Sequence, residues 1–146
     1  MTIEMTPEMR VNLKTLLIKH EQEKLMPYLD TDSPPNVSIG IGRNITGRGI
    51  FQNESNLMFE NDCDYFYDFL YKNFSWFHNL NEARQCALVD MCFMGTNAFL
   101  EFHKMISALE IGNFELASNE IINSHYETEV HQRAHDLAQI IRTGEL

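Results

Sequence analysis

Residues 20–49 read HEQEKLMPYLDTDSPPNVSIGIGRNITGRG, and this stretch separates two kinds of structure. Its three prolines, at 27, 34 and 35, exclude a continuous helix. The segment VSIGI at 37–41 alternates apolar with small or polar residues, as a short strand does. We therefore expect a small, irregular antiparallel sheet of two or three short strands. Its four glycines, at 40, 42, 47 and 49, are interpreted as turn positions, because neither GxxxxGK[ST] nor GxGxxG occurs.

Both flanks of this stretch are predicted to be helical. Thr6 offers a capping hydroxyl and Pro7 a first helical residue, so a helix should run from there to about residues 19–23. Apolar periodicity predicts further helices from a cap at Asn53, and over about 82–93, 99–109, 114–122 and 131–141. The predicted fold is therefore α+β in one domain, residues 1–146. A small Gly/Pro-rich β lobe, about 25–51, joins a helical lobe, about 1–24 and 52–146, with a ligand cleft between them.

Composition and charge exclude several classes of protein. The chain has 146 residues, 11 basic against 21 acidic, and a formal net charge of -10, which argues against a nucleic-acid-binding surface. No apolar run reaches the length of a membrane span, and the amino terminus lacks signal-peptide features, so we expect synthesis in the cytoplasm. Three cysteines without a CxxC pair predict a reducing compartment, with Cys86 and Cys92 as buried thiols. No metal or cofactor is predicted.

Two carboxyl groups in the decisive stretch are candidates for catalysis. Glu21 ends the first helix, Asp30 follows nine residues later, and Ser38 lies on the candidate strand. Cleavage of a glycosidic bond needs one protonated carboxyl, which donates to the leaving oxygen, and one ionised carboxyl, which activates water. Spacing alone is weak evidence, because solvated surface carboxylates are the simpler interpretation of such a pair.

The order of several motifs makes the prediction more specific. The chain resembles the phage-type lysozymes, glycoside hydrolase family twenty-four, over about residues 13–144. The matching motifs are Glu21-Gln22, Tyr28-Leu29-Asp30-Thr31, Ser38-Ile39-Gly40-Ile41-Gly42 and Arg43-Asn44-Ile45, then the central helix around Arg84–Phe93, and Ser124-His125-Tyr126, Arg133-Ala134 and Arg142-Thr143-Gly144.

This resemblance implies a role for each matching residue. Glu21 corresponds to the general acid, Asp30 to the second carboxylate, and Ser38 to a hydroxyl that holds the attacking water, although Ser38 could also be a plain strand residue. Arg133 corresponds to an arginine that faces the general acid, with an ordinary solvated helix arginine as an equal alternative. Tyr28 and Tyr126 are expected to support or bind the substrate, with Tyr126 replacing a common tryptophan.

The implied activity is that of a muramidase, which cleaves the β-1,4 bond between N-acetylmuramic acid and N-acetylglucosamine. As a phage or prophage endolysin it would act on peptidoglycan, reaching the wall through a holin lesion or a delivery machine. Two alternatives remain open. Altered residues such as Gln22, where the family has glycine, and the acidity favour a catalytically weak or inactive lysozyme-like module that binds peptidoglycan or a protein. A transglycosylase would use a single acid/base carboxylate and leave Asp30 dispensable.

Overall fold

The computed structural model describes residues 4–146, apart from the side chains of Tyr126 and Glu129. The chain forms two compact units, one up to Asn56 and one from Leu57 onward. The first contains a small sheet and the second is helical, so the predicted α+β class is confirmed. The predicted lobe boundaries and the cleft stay predictions. Within the described residues no helix has the length and apolar character needed to cross a membrane.

The first unit opens with the predicted helix, α1 (Pro7–Glu21). The hydroxyl of Thr6 accepts a hydrogen bond from the backbone N–H of Met9 at 3.2 Å, and Pro7 occupies the first turn. The cap satisfies one N–H that has no helical partner, which is why the helix begins here.

The predicted sheet has three antiparallel strands in the order β1 (Lys24–Leu29), β2 (Val37–Gly40) and β3 (Arg43–Asn44). Strand β1 tolerates Pro27 because it is an edge strand, and its pairing with β2 is irregular between Lys24 and Tyr28. A short helix, α2 (Ile45–Arg48), follows β3, and Asn44 caps it by accepting the N–H of Gly47 at 2.8 Å.

Helix α3 (Gln52–Asn73) runs from the first unit into the second. The sequence placed the cap at Asn53, and this was wrong because the helix already includes Gln52. The carboxylate of Glu54 instead reaches back and accepts the backbone N–H of Phe51 at 2.8 Å. This is the contact that the third helical residue makes in a capping box.

Three predicted helices of the second unit are confirmed, namely α4 (Glu82–Cys92), α7 (Phe114–Ile122) and α9 (His131–Thr143). Asn81 and Asn113 cap the first two through their side-chain oxygens. Gly144 ends α9 in the left-handed conformation, φ 74°.

The helix expected over 99–109 is instead two helices, α5 (Thr96–Leu100) and α6 (His103–Glu110). Phe102 between them has ψ 53°, which ends one helical path and starts another. A further short helix, α8 (His125–Glu129), was not predicted.

The buried apolar residues form one core in the second unit, drawn from α3, α4, α5, α6, α7 and α9 and from the 3₁₀ turn Phe77–Asn79. Leu70, Leu88, Met91, Phe99 and Ile141 have no exposed surface. Among the cysteines, Cys92 belongs to this core, and its burial raises the pKa of the thiol to about 12. Cys86 is exposed, so the prediction that it is buried was wrong.

Candidate active site

Glu21, the proposed acid, is the last residue of α1, and its side chain runs past a glycine turn. A β-carbon placed on Gly42 would lie 3.4 Å from Cγ of Glu21 and 3.7 Å from its carboxyl carbon. Gly42 has φ 68°, a conformation that side chains disfavour, and it leaves the approach to Glu21 open. Glu21 is exposed, and its carboxyl accepts no hydrogen bond from the described residues.

The residue after Glu21 has an unusual backbone. Gln22 has φ 62° and ψ 169°, a region that glycine occupies almost alone. Its N–H still donates to the carbonyl of Ile18 at 2.9 Å, so the strained residue closes the helix. The phage-type lysozymes that the chain resembles have glycine at this position. Glycine would adopt this backbone conformation with little strain.

Asp30, the second carboxylate, is held by three hydrogen-bond donors. Its Oδ1 accepts the backbone N–H groups of Asn36 at 2.8 Å and Asp32 at 3.0 Å, and its Oδ2 accepts the amide of Asn36 at 3.0 Å. Chiefly because of the backbone N–H of Asn36, the pKa of Asp30 is lowered from its ordinary value. The carboxyl is therefore ionised at neutral pH, as a water-activating group needs to be.

Ser38 lies opposite Tyr28 in the sheet, and Asp30 continues the same face of β1 two residues beyond Tyr28. Its side chain is 5% exposed, and its hydroxyl has no hydrogen-bond partner among the described residues. A buried hydroxyl of this kind is expected to bind water. The structure thus brings Tyr28, Asp30 and Ser38 to one face of the sheet, with Glu21 at the turn that follows β2.

Tyr28 is half-buried, and a lysine side chain contacts its ring. The ammonium of Lys24 lies 4.3 Å from the ring centroid, within the range of a cation–π interaction. This contact fixes the ring against its own strand.

Arg133 is engaged within the second unit. Its Nε donates to Oδ1 of Asp90 at 2.8 Å, and its Nη2 donates to the backbone carbonyl of Asp90 at 2.8 Å. The pair joins α9 to α4, and both side chains are roughly half exposed. A role of Arg133 beside the general acid stays a prediction. Tyr126 belongs to α8, but its side chain lies outside the described residues.

Two supporting groups were missed at the sequence level. Asn36 holds Asp30, and an Asp-x-Asp segment followed by asparagine was the available signal for such a turn. On β3, Arg43 forms two hydrogen bonds of 2.7 Å to the carboxylate of Glu54. This bidentate pair ties the sheet to the start of α3 and lowers the pKa of Glu54.

The chain is similar in sequence to known proteins. The chain is 27% identical to the probable T4-type lysozyme 2 of Dictyostelium discoideum, over 92% of this chain and 96% of that protein. It is 28% identical to the pre-baseplate central spike protein Gp5 of Enterobacteria phage T4, over 93% of this chain and 28% of that protein. No protein family model matches the chain. The similarity confirms the resemblance to phage-type lysozymes, whereas membership of glycoside hydrolase family twenty-four stays a prediction.

Proposed function

We propose that the protein is a lysozyme-like peptidoglycan hydrolase, a glycoside hydrolase. More finely, we propose a muramidase that hydrolyses the β-1,4 bond between N-acetylmuramic acid and N-acetylglucosamine. The similarity of nearly the whole chain to a probable T4-type lysozyme supports the coarser statement. The contrast between the two carboxyl groups supports acid–base hydrolysis, and the choice of bond follows from the resemblance to phage-type lysozymes. Asp30 accepts three hydrogen bonds, and Glu21 accepts none from the described residues.

In the proposed reaction the two carboxyl groups move two protons. Protonated Glu21 donates to the glycosidic oxygen as its bond to the anomeric carbon breaks. Ionised Asp30 takes a proton from a water whose oxygen bonds to that carbon, and the hydroxyl of Ser38 holds this water. The products are two shorter glycans. Glu21 is left ionised and Asp30 protonated, and exchange with solvent restores both groups.

The charge of the chain bears on how it meets its substrate. Peptidoglycan and its attached polymers are negative, so a chain of net charge -10 gains no attraction toward them. Screening beyond about 8 Å at physiological ionic strength reduces the repulsion. We therefore expect the protein to clear the wall faster when the salt concentration is raised.

The proposed biological setting is that of a phage or prophage endolysin. The chain would accumulate in the cytoplasm and reach the wall through a membrane lesion made by a holin, or through a delivery machine.

The decisive experiment measures clearing of purified Gram-negative peptidoglycan by the wild type, Glu21→Gln and Glu23→Gln, across pH and salt. Removal of a positioned general acid should lower the rate about 10²–10⁴-fold. Glu23 is an exposed carboxylate two residues away, so Glu23→Gln makes the same charge change outside the site and should keep wild-type clearing. Equal clearing by Glu21→Gln and Glu23→Gln would contradict the assignment.

Two further measurements separate the alternatives. Asp30→Asn should lose activity in a hydrolase, whereas a transglycosylase would keep it and would leave anhydro product ends. A wild type that binds the glycan in a pull-down without clearing it would instead be a binding module.

A further inference from the structure

A second cluster of reactive side chains lies in the helical unit, at the junction of α8 and α9. The Oε1 atom of Glu127 contacts Nδ1 of His131 and lies 3.4 Å from Nε2 of His135. The three donor atoms all lie within 4.8 Å of one another. The proposed hydrolysis uses none of these residues.

The helical backbone accounts for this convergence. His131 and His135 are four residues apart on α9, so they project from one face in successive turns, with ring centroids 4.4 Å apart. Val130, with φ -136° and ψ 54°, separates α8 from α9. Glu127 on α8 therefore reaches the same face from outside the helix that carries the two histidines.

We propose that Glu127, His131 and His135 bind a divalent transition-metal ion, with zinc as the expected occupant. Two imidazoles and a carboxylate are ligands that zinc accepts, and copper and nickel accept imidazole as well. Tetrahedral bonds of about 2.0–2.1 Å place ligand atoms about 3.4 Å apart. The separation of Glu127 from His135, 3.4 Å, already matches this spacing, and no pair has to close by more than about 1.4 Å.

The side chains are free to make that adjustment. His131 is 69% exposed and His135 43% exposed, so rotation of either ring meets little packing. Glu127 is 25% exposed and is the more fixed member. An ion would therefore be bound by a fixed carboxylate and two rings that turn toward it.

The local charge favours a cation. Metal ions bind these ligand types in their deprotonated forms, a carboxylate and two neutral imidazoles. With both imidazoles neutral the three ligands carry one negative charge. The nearest basic residue along the helix, Arg133, bonds to Asp90 on α4. The guanidinium of Arg133 is therefore held at Asp90.

Bound metal would join α8 to α9 through three ligands and leave one tetrahedral position for water. Because such an ion binds the folded arrangement in preference to the unfolded chain, it should raise the midpoint of thermal unfolding, and the rise should grow with the logarithm of the free ion concentration above the Kd. This readout is independent of peptidoglycan cleavage, so the two proposals can fail separately.

The test is titration of chelator-treated full-length protein with zinc chloride, followed by calorimetry and by thermal unfolding. The wild type should bind one zinc ion. Glu127→Gln, His131→Ala and His135→Ala should each weaken binding by at least about 10-fold, because even loss of an outer hydrogen-bond partner of a ligand costs that much. His103→Ala removes an exposed histidine of α6 outside the cluster and should leave the affinity unchanged.

Cobalt provides a second readout. The wild type should develop the visible absorption of four-coordinate cobalt, and the three ligand variants should not. Circular dichroism of each variant verifies that it is folded. The proposal is overturned if the wild type binds no zinc, or if folded ligand variants bind it as tightly as His103→Ala does.

Discussion

Replacement of Gln22 by glycine should stabilise the protein. Gln22 adopts φ 62° and ψ 169° immediately after the proposed general acid. A non-glycine residue in this region costs about 1–3 kcal/mol. Glycine removes that strain but adds about 0.5–1 kcal/mol of conformational freedom to the unfolded chain. The expected net gain is therefore about 1 kcal/mol and at most about 2.5 kcal/mol.

Thermal unfolding followed by circular dichroism measures this gain. For a chain of this size about 1 kcal/mol corresponds to a rise of roughly 3–4 °C in the midpoint. Gln22→Ala is the matched control, since it also removes the exposed amide side chain but keeps a β-carbon in the disfavoured region. Its midpoint should stay near that of the wild type.

Two results would refute this reasoning. If Gln22→Gly unfolds at or below the wild-type temperature, any backbone strain at this residue is no larger than the entropy cost of glycine, about 0.5–1 kcal/mol, and the expected net gain is refuted. If Gln22→Ala gains as much as Gln22→Gly, the amide side chain and not the backbone is responsible. Peptidoglycan clearing should be unchanged in Gln22→Gly, because glycine follows the same backbone path and leaves the preceding carboxyl in place.

Three other changes test the site and the core. Gly42→Ala and Gly40→Ala should each cost about 1–2 kcal/mol of stability in denaturant unfolding, since both glycines have φ 68°. Only Gly42→Ala places a methyl beside the proposed acid, and at 3.4 Å from Cγ of Glu21 this is an ordinary van der Waals contact that displaces nothing, so both variants should keep wild-type clearing when folded. Asn36→Ala removes the side-chain amide, whose hydrogen bond to Oδ2 of Asp30 lowers the pKa of that carboxyl, and keeps the backbone N–H. The pKa then rises toward its ordinary value, so the acid limb of the pH–rate profile should move to higher pH. Leu88→Ala empties a fully buried core site and should cost about 2–5 kcal/mol in urea unfolding.

Local rules predicted the fold well where a helix terminus depends on one nearby side chain. Thr6 accepts a backbone N–H within a single turn and, with Pro7, marks the observed start of α1, as predicted. Asn81 and Asn113 make the same kind of contact at the starts of α4 and α7. The break at Phe102 follows no such rule, since the surrounding residues lack proline and glycine. Tertiary packing, which a single sequence does not display, decides that break.

Some residues of the candidate site could be predicted from the sequence, and others could not. The two carboxyls and Ser38 could be singled out only through the resemblance, because nine residues between acids is a common spacing. Neither spacing nor resemblance indicated that Asn36 would supply two of the three donors to Asp30. That contact depends on how the loop between β1 and β2 closes. The proposed metal ligands were not singled out from the sequence although His131 and His135 have helical spacing, since Glu127 comes from another helix.

The two proposed catalytic carboxyls are positioned by residues that lie close to them in the first unit of the chain. Asp30 is held by residues two and six positions away. Glu21 is placed by the end of its own helix and by the turn at Gly42. Substitutions in the helical unit therefore leave these contacts in place. A change at Asn36 acts directly on a proposed catalytic group, so activity should be far more sensitive at this position than at equally exposed positions of the helical unit.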